Sequence, residues 1–117
     1  MAAVLPRDNA SAITLAVVEL VAGEFQNEKL NLQFAADRLR KNAKYVSTVF
    51  KKDTGMNFTA YLNKVRLEKA DELLRTTDRS ISQISIEVGY SSYKYFSTVY
   101  RKYFGTNPSK ARGSKAQ

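Results

Sequence analysis

Residues 44–52 read KYVSTVFKK, and residues 94–102 read KYFSTVYRK. Extended to 42–55 and 92–105, the two stretches agree at seven of fourteen positions with a constant offset of fifty residues. Repeats this short do not build a solenoid, in which each repeat stacks on its neighbours. The repetition predicts instead that one supersecondary unit occurs twice in a chain of 117 residues.

Both copies divide into an apolar face and a polar face when they are placed on a helix at about 100° per residue. The apolar face of the first copy consists of Val46, Val49 and Phe50. That of the second copy consists of Phe96, Val99, Tyr100 and Tyr103. A purely structural duplication has little reason to keep an exposed Lys-Tyr-x-Ser-Thr pattern. We therefore favour a functional repeat over one that persists only because the duplication is recent.

The rest of the chain is also predicted to be helical. Helices are expected at 9–25, 32–39, 43–53, 58–74 and 81–88, then from Ser91 or Ser92 to Gly105, with a short last turn from Pro108. Residues suited to cap them are Asn31, Asn42, Asn57 and, in a capping box with Gln83, Ser80. No stretch alternates like a strand, so the fold class is predicted to be all-α.

Several chemistries are excluded by residues that the chain lacks. It has no cysteine and no histidine, which removes disulfides, zinc sites built on those ligands, thiol nucleophiles and Ser-His-Asp hydrolysis. It has no GxxxxGK(S/T) or GxGxxG phosphate-binding motif. We therefore predict that the protein is not an enzyme and has no cofactor and no metal site. No apolar run approaches the roughly 20 residues that span a bilayer, so no membrane association is expected.

The net charge of +8 is unevenly distributed. Residues 1–37 contain two basic and five acidic residues, whereas residues 38–117 contain seventeen basic and six acidic residues. A basic surface concentrated on part of a small domain is typical of proteins that bind a polyanion. The alternative at this point is a basic surface that is merely solvated.

Each copy follows a short helix with small residues near its middle, Ala35 and Ala36 in one case and Ser85 in the other. A short helix, a tight turn and a basic helix form the helix-turn-helix plan, whose second helix enters the major groove of DNA. The helix between the copies is predicted to be about 25 Å long. With its flanking turns it could separate the two basic helices by about one DNA turn, roughly 34 Å, so that they enter successive major grooves.

Three stretches complete this pattern: YVSTVFKKDTG, YLNKVRLEKADELL and ISQISIEVGYSSYKYFSTVYRKYFGTNPSKAR. From about Leu30 to Arg112 the chain resembles the DNA-binding domain of the AraC/XylS family of bacterial transcription regulators. The resemblance implies about seven helices in two homeodomain-like helix-turn-helix subdomains, 9–57 and 76–112, joined by a linker helix at 58–75. Residues 1–8 are expected to be a flexible N-terminus or linker, and residues 113–117 a disordered tail.

The resemblance and the outward faces together predict the residues that contact DNA. On the first recognition helix they are Lys44, Tyr45, Ser47, Thr48, Lys51 and Lys52. On the second they are Tyr93, Lys94, Tyr95, Ser97, Thr98 and Arg101. Some relatives carry arginine where this chain has Thr48 and Thr98, so we expect Lys44 and Lys94 to take more of the base-reading role. For Arg66 of the linker helix we favour a structural ion pair over a DNA contact.

Other predictions concern packing. Five aromatic residues are expected in the core: Tyr90, Phe96, Tyr100, Tyr103 and Phe104. The linker-helix residues Glu68, Asp71 and Glu72 are expected to form a solvated face. Lys41 and Ala111 replace apolar and aromatic residues that are usual in the family, which should loosen the first turn and the anchor of the last helix.

The predicted partners are double-stranded promoter DNA and RNA polymerase, in a cytoplasmic, nucleoid-associated protein. The fragment is expected to be monomeric, with dimerisation of a full-length regulator left open. The chain is predicted to be the C-terminal domain of a larger regulator that binds DNA sequence-specifically. The alternatives are a free-standing small regulator of the same family, a basic module that binds nucleic acid without reading its sequence, and a protein-interaction bundle.

Overall fold

The structure is a computed structural model that describes residues 10–115. This range contains seven α-helices and no strand, which confirms the all-α prediction. The helices are α1 (Ala12–Glu24), α2 (Leu32–Leu39), α3 (Ala43–Thr54), α4 (Phe58–Thr76), α5 (Ile81–Glu87), α6 (Tyr93–Phe104) and α7 (Pro108–Lys115). None of the helices in the described range is long and apolar enough to cross a membrane.

The chain divides into two compact units. The first comprises Lys29–Val65 together with the described residues up to Phe25, and therefore contains α1, α2, α3 and the first part of α4. The second comprises Gln26–Glu28 and the described residues from Arg66 onward, and contains the rest of α4 with α5, α6 and α7. Each unit thus holds one copy of the repeated stretch.

The predicted helix caps are present. The side chains of Asn31 and Asn42 accept the backbone N–H of the residue three positions later, at 2.8 and 3.1 Å. Ser80 and Gln83 form the reciprocal capping box. Ser92, rather than Ser91, caps α6 by accepting the Tyr95 N–H at 3.1 Å.

Several helix ends differ from the prediction. Ser11 caps α1 by accepting the Thr14 N–H, so the helix begins at Ala12, and the predicted start at Asn9 lies outside the described residues. α4 continues to Thr76, two residues past its predicted end. α7 has eight residues and runs to Lys115, so residues 113–115 of the predicted tail are helical. The N-terminal segment 1–8 lies outside the described residues.

The first unit is built around the predicted apolar face of α3. Val46 and Phe50 are fully buried, and Ala35 and Ala36 of α2 are fully buried beside them in the same core. Methyl side chains on α2 allow its backbone to approach α3 closely. The Phe50 ring lies 5.3 Å from the ring of Tyr61 and 6.5 Å from that of Phe58, measured between centroids, in edge-to-face arrangements. Such pairs add to the stabilisation from buried area.

The second unit repeats this arrangement with larger side chains. Phe96 and Tyr100 of α6 are fully buried, and Ser85 of α5 is buried in place of an alanine. The Tyr100 hydroxyl donates a hydrogen bond to Asp71 at 2.9 Å. Asp71, whose side chain is 14% exposed, also pairs with Arg75. The prediction that Asp71 belongs to a solvated face was therefore wrong, because it satisfies a buried tyrosine.

Tyr103 was predicted to be in the core and is 43% exposed. Its hydroxyl donates to Glu68 of α4 at 3.1 Å. On the helix Phe104 lies closer to Tyr100 than Tyr103 does, at about 40° against 60°, and its ring centroid is 4.6 Å from that of Tyr100. Phe104 therefore packs on the inner side of α6, and Tyr103 lies at the edge of the core.

Two arginines hold the backbone of the second unit. Arg66 is 6% exposed. It donates to the Asn27 carbonyl at 2.8 Å, and its Cζ atom lies 5.3 Å from the centroid of the Tyr90 ring. A carbonyl and an aromatic ring thus hold Arg66 within the second unit. The predicted ion pair of Arg66 stays a prediction. Arg112 donates to the carbonyls of Leu74, Thr77 and Arg79, which anchors α7 although Ala111 replaces the usual aromatic residue.

A carboxylate joins α1 to the end of α3 in the first unit. Asp53 accepts the Thr14 hydroxyl at 2.7 Å and the Ser11 N–H at 2.9 Å. The hydrogen bond from Thr14, followed by that from Ser11, lowers the pKa of Asp53 below its ordinary value. The charged form of Asp53 is thus stabilised by folding.

We expect Asp53→Asn to lower the free energy of unfolding at neutral pH and to have less effect in acid. The folded-state pKa of Asp53 lies below its unfolded value. Its contribution is therefore present above the ordinary aspartate pKa of about 3.9 and is lost as the pH falls through the folded-state value. Urea unfolding of both proteins from neutral pH to about pH 3 measures the difference. A difference that did not shrink in acid would contradict the assignment.

Candidate nucleic-acid interface

The twelve predicted DNA-contacting residues all lie on α3 or α6. Ten of them are exposed, and the two serines, Ser47 and Ser97, are partly buried at the edges of their helices. Among the exposed residues, the aromatic side chains stand out because large apolar rings are usually buried. Tyr45 is 53% exposed and its counterpart Tyr95 is 47% exposed.

The two recognition helices present the same surface. The nine residues 44–52 and the nine residues 94–102 have the same degree of burial position by position. Lys44 and Lys94 are exposed, as are Thr48 and Thr98 one turn later, and between them Val46 and Phe96 face the core. The repeated outward pattern is therefore a repeated surface and not only a repeated sequence.

Each recognition helix follows a short helix and a tight turn. α2 is followed by Arg40, which has the left-handed conformation (φ 58°, ψ 43°), and the Lys41 N–H donates to the Ala36 carbonyl at 2.9 Å. α5 is followed by Gly89 at φ 112°, and the Tyr90 N–H donates to the Ser85 carbonyl at 2.9 Å. The two turns therefore close with the same backbone hydrogen bond, in the manner of a Schellman motif.

The second turn is one residue longer than the first. Corresponding residues before the recognition helices are 49 positions apart: Ser80 follows Asn31 by 49 positions, and Gly89 follows Arg40 by 49. Corresponding residues of the recognition helices are fifty positions apart. The additional residue is Ser91. Alignment at a constant offset of fifty did not show this, so the counterpart of Lys41 is Tyr90.

The exposed cations of α3 and α6 give this surface its positive charge. On α3 they are Lys44, Lys51 and Lys52, and on α6 they are Lys94, Arg101 and Lys102. None of the six forms an ion pair with another residue in the range 10–115. The positive end of each helix dipole lies at its capped N-terminus, close to Lys44 or Lys94. Both features attract phosphate.

Three exposed basic residues on or next to the recognition helices were absent from the predicted set. Lys102 is the counterpart of Lys52, and the offset of fifty could have identified it. Arg40 and Lys41 lie in the first turn, directly before α3. Turn residues beside a recognition helix can contact the DNA backbone. Arg40 and Lys41 become candidates only through their position in the fold, because the sequence pattern does not identify them.

Comparison with known proteins decides the family. A family model described as a helix-turn-helix domain matches residues 35–114. The chain is 40% identical over 105 residues to the uncharacterized transcriptional regulatory protein YesN of Bacillus subtilis. It belongs to the AraC/XylS family of transcription regulators.

Two further comparisons extend this result. The HTH-type transcriptional activator RhaR of Mannheimia succiniciproducens is 40% identical over 90 residues. The matched regions cover 87% and 74% of this chain, but only 28% of YesN and 33% of RhaR. The chain thus spans about a third or less of the length of these relatives. Among solved structures, the C-terminal domain of AraT, a response regulator from Geobacillus stearothermophilus, superposes with a TM-score of 0.89 at 33% identity, covering 92% of this chain and 88% of that one.

Arg40 is the one non-glycine residue of this AraC/XylS domain with a positive φ among the described residues. The left-handed conformation costs a residue with a Cβ atom roughly 1–2 kcal/mol relative to the right-handed one, whereas glycine adopts it readily. Such a conformation next to the candidate interface suggests a role for the Arg40 side chain.

We expect Arg40→Gly to be more stable than Arg40→Ala by about 1 kcal/mol, since both variants remove the guanidinium and only glycine relieves the backbone. Urea unfolding at one pH measures the difference. If both variants unfold at the same urea concentration with the same slope, the left-handed conformation is not strained.

Proposed function

We propose that this AraC/XylS domain binds double-stranded DNA sequence-specifically and regulates transcription by inserting α3 and α6 into successive major grooves. The observation that carries the proposal is the matched exposure of 44–52 and 94–102, because two helices present the same cations and hydroxyls to solvent. A major groove about 12 Å wide admits one α-helix. A chain with two such helices can read a bipartite site without forming a dimer.

The proposed roles follow from position on each helix. Lys44 and Lys94 lie at the N-terminal end of the outward face, where a recognition helix contacts base edges. A lysine ammonium can donate to guanine O6 and N7. Threonine hydroxyls one turn later can contact bases or phosphates. The cations nearer the C-terminal ends, Lys51, Lys52 and Arg101, are proposed to contact phosphates, with the serines and tyrosines of both helices at the groove walls.

The proposed spacing of the DNA sub-sites is based on the length of the helix between α3 and α6. α4 has 19 residues, which correspond to about 28 Å. This length supports a spacing of about one DNA turn, roughly 34 Å, between two sub-sites. Because Lys44 and Lys94 have similar surroundings, we propose that the two sub-sites resemble each other and repeat in direct orientation.

The chain is proposed to be the C-terminal, DNA-binding part of a longer regulator. The regions that YesN and RhaR share with this chain make up only 28% and 33% of their lengths. The AraT structure is the C-terminal domain of a response regulator. Contact with RNA polymerase and a place at the nucleoid are part of the same proposal. A free-standing regulator with the same domain is the alternative.

Selection of bound sequences from a random duplex pool tests the function. The expected result is two enriched blocks in direct orientation, with centres about one helical turn apart. Affinity for the selected site should fall steeply with salt, at a log–log slope near −0.9 for each contacted phosphate. Salt-sensitive binding without enrichment would contradict sequence-specific binding and leave a general nucleic-acid module. Binding that hardly changed with salt would favour a protein-interaction bundle.

A further inference from the structure

Three side chains of the second unit form a stack that ends on the surface of α6. The Arg66 Cζ atom lies 5.3 Å from the centroid of the Tyr90 ring. The Tyr90 ring lies 5.9 Å from the Tyr95 ring, centroid to centroid, with 56° between their planes. Arg66 and Tyr90 are buried, whereas Tyr95 is about half exposed. The buried Tyr90 ring therefore supports Tyr95 on its inner side, and the rest of the Tyr95 side chain is exposed to solvent.

Tyr90 is itself firmly placed. Its ring centroid lies 5.4 Å from that of Phe96, which is fully buried. The guanidinium of Arg66 over its face adds a cation–π contact. Burial raises the pKa of Tyr90 above its ordinary value, so the phenol stays neutral. A buried, neutral ring in contact with three neighbours is a rigid support for Tyr95.

The first unit has no equivalent support. The turn residue that corresponds to Tyr90 is Lys41, which is exposed. Tyr45 makes no contact with another aromatic ring in the described part of the chain. The two recognition helices therefore match in sequence and exposure but differ in how tightly one tyrosine is held.

The position of Tyr95 on its helix indicates what it contacts. It lies about 100° around the helix from Lys94, on the flank of the outward face. When a helix lies in the major groove, its flanks face the groove walls, which are sugar and phosphate. A tyrosine hydroxyl is among the groups that bond phosphate oxygens, and such contacts fix the position of the protein on DNA.

We propose that Tyr95 is a clamp on the sugar-phosphate backbone of DNA, that Tyr90 is its positioning residue, and that the α6 sub-site is consequently bound more strongly than the α3 sub-site. The proposal rests on the proposed function. A side chain that is already ordered loses less conformational freedom on binding, so more of its contact energy appears as affinity. Tyr45 lacks this ring support, so we expect binding to restrict its side chain more than that of Tyr95.

Matched variants test the clamp on the selected site. Tyr95→Phe keeps the ring contact with Tyr90 and removes only the hydroxyl. We expect it to weaken binding about fivefold, which corresponds to one neutral hydrogen bond, and Tyr45→Phe to weaken it less than about twofold. Tyr95→Phe should reduce affinity by the same factor for the selected site and for DNA sites that differ from it by one base pair. The salt slope should not change, because no charge is removed.

A double-variant cycle tests the positioning role. In a Tyr90→Leu background, Tyr95→Phe should cost less than about twofold, because the hydroxyl is no longer held in place. Tyr90→Leu is present in both proteins that are compared, the single variant and the double variant. Any loss of folded protein that it causes therefore cancels from the ratio of their affinities. A merely structural role for Tyr90 would leave the fivefold effect of Tyr95→Phe intact.

Each alternative outcome overturns a different element of the proposal. Equal losses for Tyr45→Phe and Tyr95→Phe would contradict the difference between sub-sites. A loss confined to one base pair would make Tyr95 a base-reading residue. An unchanged effect in the Tyr90→Leu background would contradict positioning. All three are measured on a site that the wild-type protein selects, so failure of the proposed function would appear earlier, as the absence of such a site.

Discussion

Lys44→Ala and Lys94→Ala are each expected to weaken binding to the selected site by about 1–3 kcal/mol and to relax base preference in one sub-site only. Each lysine is exposed at the start of its recognition helix, and each belongs to a different compact unit. Residues without shared partners contribute independently. The loss of binding free energy in the double variant should therefore be about the sum of the two single losses. This is the largest loss of affinity that we expect.

The affinity of each lysine variant is measured for the selected site and for single-base variants of that site. These affinities show whether base preference is lost in one sub-site. Lys69→Ala provides a matched control, since Lys69 is a partly exposed lysine of α4 that pairs with Glu72, outside both recognition helices. The control should leave base preference unchanged in both sub-sites. If Lys94→Ala reduced affinity uniformly over all sequences, Lys94 would contact phosphate and the base-reading assignment would be wrong.

Truncation of the central aromatic residue of either recognition helix should have the largest effect on stability. Phe50 and Tyr100 occupy corresponding positions, and both are fully buried. Replacement by alanine leaves a cavity as well as removing buried apolar surface. We expect Phe50→Ala and Tyr100→Ala each to lower the free energy of unfolding by about 3–5 kcal/mol.

Tyr100→Phe separates packing from hydrogen bonding. It fills the same space and removes only the hydroxyl that donates to Asp71, so a loss of about 1 kcal/mol is expected. Urea unfolding followed by far-ultraviolet circular dichroism measures all three variants. A loss below about 1 kcal/mol for Phe50→Ala would show that the site can collapse around the cavity and would contradict close packing around Phe50.

The features that followed from local rules could be predicted from the sequence. Asn31, Asn42 and Ser80 are caps because a short polar side chain can satisfy the first N–H groups of a helix wherever that helix lies. The buried and exposed faces of α3 and α6 followed from the helical period and from the repeat. These rules also placed all twelve candidate residues on the two recognition helices.

Features that depend on distant residues could not be predicted. Glu68, 35 positions earlier, accepts the hydroxyl of Tyr103, and the helical period alone does not show this contact. Asp71 is held by Tyr100, which is 29 positions away. The sequence gives no signal for a left-handed arginine at position 40, since glycine is the usual residue there. The support of Tyr95 by Tyr90 depends on a turn that is one residue longer than its counterpart.

Insertion of base pairs between the two blocks of the selected site tests the central claim most directly. About five added base pairs rotate one block by half a turn, to the opposite side of the duplex. One chain that enters two successive major grooves should then keep only one sub-site, and its affinity should fall about tenfold or more. The same insertion placed outside the blocks should have no effect. Unchanged affinity after the internal insertion would show that α3 and α6 do not bind two sub-sites at once.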